Sequence, residues 1–410
     1  MSLMTLLRRL RFSARPQLCE NIIWWALPRG WQTQIIHEPF QLRLSPPVGC
    51  EEDPQAHARF KPYCNVGFNA QYLVTIPSAS IRSGGLCITP DRQFILESVW
   101  RPQQVIDHPA YRDRLPWRRS QWEGNWYSAV GYSAQNYGHW LWDDLPRLLT
   151  ALPHLPKDIQ FVVPNPFRDF HRDSLAAIGV PPDRCRPIPN REEVTLDKLY
   201  FATFLGHPAW PATAPEVALQ LREKLVSKLG LGGDLKGSRR LYVSRSNTRF
   251  RRLINEDELL PIIRGLGFEV VRPEQLSLME QIRTFQSANI ICGVFGAGLA
   301  NVIFSHSGTS LLELHEPMNA PRPWFWQMTS VLGHEYQCLT GQFIGDDVAY
   351  ELNPDFMLSK SVFKSFLENS VADPSKRSAR QWWNDNNGMM VRSAGGTPLR
   401  WRGAKRRCFT

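Results

Sequence analysis

Hydrophobic residues stand four apart at Val217, Leu221, Leu225 and Leu229, a stripe that predicts an amphipathic helix from Glu216 to Leu229. On its amino-terminal side, apolar runs alternate with helical patterns. Trp126 to Gly131, Ile159 to Val163 and Leu199 to Phe204 read as strands, and Tyr137 to Leu152 and Phe170 to Ile178 as helices. On its carboxyl side the rhythm repeats, with strands at Leu241 to Ser244, Phe268 to Val271, Ile290 to Val294 and Ser310 to Leu314. Asn255 and Ser277 open helices between them, Glu280 taking the capping-box position after Ser277, and a short helix covers Asn301 to Phe304. Strands separated by helices of this length imply βαβ units and parallel sheets.

The run Gly230-Leu231-Gly232-Gly233-Asp234 is the best linker in the chain and divides these units into two sets. The expected fold class is therefore α/β, with two Rossmann-like domains facing each other across a cleft. Residues 1–60 read as an irregular segment, and short strands at Val66 to Gln71, Tyr72 to Ile76 and Gln93 to Val99 form a β-rich lead-in. Residues 61–229 make the first domain and 230–371 the second. Residues 372–410, rich in Pro, Gly, Asn and Ser and ending in a basic run, are expected to be a flexible tail.

Charge changes this picture less than its total suggests. The 410 residues carry 48 Lys+Arg and 38 Asp+Glu, a net +10. Residues 371–410 account for +7 and residues 1–40 for +3, so the body between them is neutral. The basic ends suit contact with a membrane surface or another protein better than nucleic acid, which is not expected as a partner. No apolar run approaches the ~18 residues of a membrane-spanning helix. Eight cysteines without a C-x-x-C pair point to reduced thiols in the cytoplasm, with neither a zinc site nor a dithiol centre.

Three constellations carry chemistry. In the first, Asn136, His139 and Asp143 fall three and four residues apart and share one helix face after a strand. His139 can take a proton near neutral pH, and a carboxylate beside it can orient the ring. The structural alternative pairs Asp143 with Arg147. Pro146 should kink or end the helix. The second runs from Lys236 to Arg252, with seven basic residues and no acidic one. Arg245 follows a strand at its carboxyl end, where open α/β sheets bind ligands, and Arg suits phosphate oxygens. The third is Gly293-Val294-Phe295-Gly296-Ala297-Gly298-Leu299-Ala300-Asn301, a strand turning into a helix whose backbone amides can meet a phosphate. Glu313 and Glu316 lie where a carboxylate could accept hydrogen bonds from ribose hydroxyls.

These runs resemble glycosyltransferase family 61. The resemblance rests on Asn136-Tyr137-x-His139-Trp140-Leu141-x-Asp143-x-Leu145-Pro146-Arg147-Leu148, on Tyr242-Val243-Ser244-Arg245-Ser246 with Arg251-Arg252-Leu253-x-Asn255-Glu256, and on Gly267 through Gly296-Ala297-Gly298-Leu299-Ala300-Asn301 to Glu313-Leu314. It covers roughly residues 126–317. It implies a GT-B-like arrangement and an inverting enzyme that uses a UDP-sugar as co-substrate. It also implies a glycan or lipid-linked saccharide acceptor, as in capsular or exopolysaccharide synthesis by bacterial members. Donor binding would fall to Arg245, Asn247, Arg251, Arg252, Gly296, Ala297, Gly298, Asn301 and Glu313, and the acceptor side to Asn136, His139 and Trp140. Catalysis would rest on His139, Asp143 and Arg245, with the choice of base between His139 and Asp143 open. The family usually has His before the Gly-Ala-Gly turn, where this chain has Phe295.

No Asp-x-Asp motif ends a strand, so no obligatory cofactor or divalent metal is expected. Two other functions compete: an NAD(P)-dependent oxidoreductase, suggested by the glycine turn and Glu313, and a basic nucleic-acid-binding protein. Trp324 and Trp326 follow Glu316 closely enough to reach the cleft. The expected location is cytoplasmic, at the inner membrane face.

Overall fold

The computed structural model describes residues 18–45, 47, 60–98, 118–131, 133–205, 213–231, 237–316, 323–344, 354–372, 383–384 and 388–392. Its described residues form two large sheets. In the first, Glu192–Ala202 pairs antiparallel with Gln71–Arg82 on one side and parallel with Arg118–Ser128 on the other. Gln160–Val163 and Cys185–Pro187 continue the parallel part. Thr33–His37 adds antiparallel to Gln71–Arg82, and Phe40–Arg43 pairs with Asn65–Phe68, so residues 1–60 are not simply irregular.

The second sheet is more regular. Phe268–Val271, Arg239–Val243, Ala288–Val294, Ser310–His315 and Glu335–Thr340 lie side by side in that order, all parallel. Numbered along the chain this is 2-1-3-4-5, so the winding reverses between Arg239–Val243 and Ala288–Val294. A crevice opens outside the carboxyl ends of two strands at such a point, because their connections leave to opposite faces. Gly388–Arg392 pairs antiparallel with Glu335–Thr340, so part of the segment expected as a flexible tail belongs to the sheet. The closing basic run lies outside the described residues, as do Gly232 to Asp234 of the expected linker.

Alternation along Arg239–Val243 sends Leu241 and Val243 to one face and Tyr242 to the other. Tyr242 meets Leu259 and Ile263 of the helix Glu256–Gly265 and Phe363, Phe366 and Leu367 of the helix Lys360–Val371. The opposite face joins a core that continues into the first sheet. Val217, Leu221 and Leu225 of the helix Pro215–Leu229 pack there with Leu148 and Leu175 from the first half and Phe285 and Trp326 from the second. Burying each such side chain stabilises the fold by about 1.5–3 kcal/mol relative to exposure. The two halves therefore share one core.

The helix between Arg118–Ser128 and Gln160–Val163 of the first sheet departs from the sequence expectation in a useful way. Tyr137–His139 is α-helical, Trp140–Asp144 is a π turn, and Leu145–Ala151 is α-helical again. Pro146 neither ends nor kinks it at its own position. It falls at the start of the last segment, and the widened turn before it, closed by Leu145 N–H to the Trp140 carbonyl, absorbs the irregularity.

Cys19, Cys64, Cys87, Cys185, Cys292 and Cys338 are free thiols, and burial pushes Cys19 and Cys87 up to about 12, away from reactive thiolate. Among the described residues no helix is long and apolar enough to cross a membrane.

Candidate active site

Asn136 begins the site. Its side-chain oxygen accepts the N–H groups of Gly138 at 2.9 Å and His139 at 3.4 Å, capping the helix at a fixed entry angle. One turn on, His139 Nδ1 meets Asp143 Oδ2 at 2.7 Å, so the spacing of four does bring them together. The competing pairing is taken by Asp144, which faces Arg147 at 3.4 Å in the buried interior. Burial raises the Asp144 carboxyl to about 7 against the pull of Arg147.

Arg245 leaves the carboxyl end of Arg239–Val243 beside the winding reversal. Its guanidinium fills the space that a Cβ on Gly296 would need, so its placement there depends on glycine through contact and not through backbone angle. Its Nη2 donates to the Phe250 carbonyl at 3.2 Å, while its buried Nε has no hydrogen-bond partner. Burial pulls the guanidinium below the usual arginine value, against the attraction of Glu316 and Glu274. A partly buried cation with an unmet donor at a switch point is a site for an anion.

Two cavities meet at this place. The larger, about 980 Å³, is walled by Gln135, Asn136 and Arg168 from the first half and by Ser244, Arg245 and Asn247 from the second. The smaller, about 230 Å³, holds His139, Asp143, Trp142, Arg251, Phe295 and Trp324. Asn136 and Ala297 border both. Ligand pockets commonly run to ~300–1,000 Å³, so the larger is adequate for a nucleotide and the smaller for a single sugar ring.

Of the residues singled out from sequence, Asn136, His139, Asp143, Arg251, Gly296 and Ala297 line the smaller chamber, and Arg245, Asn247 and Gly298 line the larger cavity. Of the residues proposed for catalysis, donor binding or the acceptor side, four line neither cavity. Trp140 is buried, donating its indole N–H to Ser174 Oγ at 2.9 Å, because its side of the helix faces the core. Asn301 is buried as a connector, accepting from Tyr137 at 2.6 Å and donating to Gln281 at 2.8 Å. Glu313 is buried on the sheet, accepts the Tyr336 hydroxyl at 2.7 Å and lines neither cavity. That placement also removes the carboxylate on which the dinucleotide alternative rested. Arg252 turns outward to Asp355, whose Oδ2 accepts both Nη2 at 2.6 Å and Nε at 2.9 Å.

The helix expected after Gly298 is a 3-10 helix from Ala297 to Phe304. Trp324 does reach the smaller chamber, whereas Trp326 is buried against Phe60. Arg168 and Phe167 went unnoticed in sequence, although Pro166-Phe167-Arg168-Asp169 follows a parallel strand at its carboxyl end, which is the available signal. Among the described residues no three His, Cys, Asp or Glu side chains cluster to hold a metal ion.

The arrangement, an anion cradle beside a His–carboxylate pair, lies in a segment with known relatives. Residues 137–312 match the family model described as Glycosyltransferase 61. Over 88 residues the chain is 27% identical to the EGF domain-specific O-linked N-acetylglucosamine transferase of Mus musculus, a stretch covering 20% of this chain and 17% of that protein.

Proposed function

We propose that the protein transfers a sugar from a UDP-sugar to a hydroxyl of a glycan or lipid-linked saccharide, with inversion at the anomeric carbon. The observation that carries this reading is the adjacency of the Arg245 cavity and the His139–Asp143 chamber across Asn136 and Ala297. The nucleotide occupies the larger cavity, with its diphosphate against Arg245 and the Gly296 turn, and the sugar points into the smaller one.

Asp143 accepts Nδ1–H of His139, which makes Nε2 the basic nitrogen. The acceptor oxygen attacks the anomeric carbon and gives its proton to Nε2. The bond from that carbon to the phosphate oxygen breaks on the opposite face, and UDP leaves with the electron pair. Arg245 is in place before charge develops there, and such preorganised charge is commonly the largest catalytic contribution. No divalent metal is assigned a role.

The two sheets, with the site between their loops, support a GT-B-like description in which residues 61–229 serve the acceptor and 230–371 the donor. A cytoplasmic place at an anionic membrane face, and a part in capsular or exopolysaccharide synthesis, accompany this reading on the strength of the basic termini and the family resemblance. The decisive experiment is a turnover screen against a panel of nucleotide sugars, with Arg245→Ala as control. Turnover of a UDP-sugar that vanishes in the variant supports the reading, and equal activity in the variant overturns it.

A further inference from the structure

Phe295 stands where the resemblance leads one to expect His, and its surroundings give it a task. It is 2% exposed, and its ring lies among His315, Trp324 and Phe325, with centroids 5.1, 5.7 and 5.4 Å away. The guanidinium of Arg251 sits over that ring, 4.7 Å from its centroid. Arg251 itself has φ of 56°, a left-handed backbone that a side chain of its size rarely adopts and that tends to persist where surroundings enforce it.

The two arginines are also joined to each other. Arg245 donates to the Phe250 carbonyl, the peptide unit that leads into Arg251, and its guanidinium lies against Gly296, the residue after Phe295. The contacts form a closed circuit: Gly296 to Arg245, Arg245 to Phe250–Arg251, Arg251 to Phe295, and Phe295 back to Gly296. Arg245 faces the larger cavity and Arg251 the smaller. Arg245 thus lies against Gly296 itself, and Arg251 lines the chamber that Gly296 also lines.

We infer that Phe295 is a positioning residue, which holds Arg251 by a cation–π contact so that a bound diphosphate straddles Gly296. The phosphate nearer the nucleoside then meets Arg245, and the one nearer the sugar meets Arg251. This inference rests on the nucleotide-sugar reading above and adds to it the division of labour between the two arginines. A monophosphate engages Arg245 alone. A diphosphate engages both.

The test is titration calorimetry with UDP and UMP on the wild type, Phe295→Leu, Arg251→Gln, the double variant and Phe295→Tyr. Phe295→Leu keeps the site apolar but removes the ring face. It should weaken UDP by about three- to thirty-fold, the range of a cation–π contact, while UMP affinity is kept. Arg251→Gln should do the same, and the double variant should lose little more than Arg251→Gln, because both changes remove one interaction. Phe295→Tyr, which retains a ring face, should restore UDP binding. Thermal melting confirms that each variant is folded. Equal losses for UDP and UMP, or additive losses in the double variant, would overturn the inference while leaving the nucleotide-sugar reading intact. Absence of UDP binding by the wild type would instead sink that reading, and this one with it.

Discussion

The Tyr137 hydroxyl donates a 2.6 Å hydrogen bond to the side chain of Asn301, joining the helix that carries His139 to the 3-10 helix that follows Gly296. Asn301 passes the connection on to Gln281 and to the Gly298 carbonyl. Asn301→Ala should therefore lower stability by about 2–3 kcal/mol, since it strands buried partners on both sides. Denaturant unfolding measures this. A selective loss of nucleotide binding without destabilisation would return Asn301 to the role of ligand.

Arg245→Ala should weaken UDP by about ten- to a hundred-fold, the worth of one or two charge-assisted hydrogen bonds, with little change in stability. Gly296→Ala should reproduce most of that loss. The new methyl group meets the Arg245 guanidinium, whose flexible end can swing away, so the fold survives and the cradle does not. Paired measurements of Kd and Tm decide it, and undiminished UDP affinity in Gly296→Ala would refute the contact.

His139→Ala should reduce kcat by about 10²–10⁴-fold, as for loss of a general base, and leave UDP affinity unchanged. Asp143→Asn should reduce kcat too, by losing the carboxylate that orients the ring. Steady-state kinetics with a defined donor provide the check. An effect confined to KM would assign the pair to binding alone.

His171 predicts a pH effect of known sign. Its Nδ1 accepts the Arg168 N–H and its Nε2 donates to the Ala134 carbonyl, so the folded chain holds a neutral ring. Burial lowers its pKa to about 4, outweighing the Ala134 hydrogen bond. A folded pKa below the unfolded one means stability is fully present above about 6.5 and is lost as pH falls toward 4, by up to about 3 kcal/mol. Asp144 acts oppositely, its raised carboxyl removing stability as pH rises from about 4 to 7. The difference between wild type and His171→Asn in urea unfolding at pH 7 and pH 5 isolates the histidine, and a wild type that gains stability over the variant on acidification would contradict it.

The parallel strands of the second half were legible because each lies between glycine or capping signals, as at Gly267 before Phe268 and Ser277 before Leu278. The His139–Asp143 pair was legible because helical spacing alone brings residues four apart together. Trp140, Asn301 and Glu313 were misread for a common reason. A polar or aromatic residue in a ligand-binding pattern looks the same in sequence whether it faces a cavity or a buried partner. Their partners, Ser174, Tyr137 and Tyr336, come from separate elements whose meeting only the tertiary fold decides. Thr33–His37 was missed because its pairing with Gln71–Arg82 is distant in the chain and its own pattern hardly alternates.

The shared core has a thermodynamic consequence for ligand entry. Swinging one sheet away from the other would bring Leu221, Leu225 and Phe285 into water, at about 1.5–3 kcal/mol for each side chain. Access is then a matter of small rearrangements at the rim, and nucleotide binding should proceed with the modest heat-capacity change of a nearly preformed cavity, unlike the large negative change that accompanies closure of separately hinged lobes.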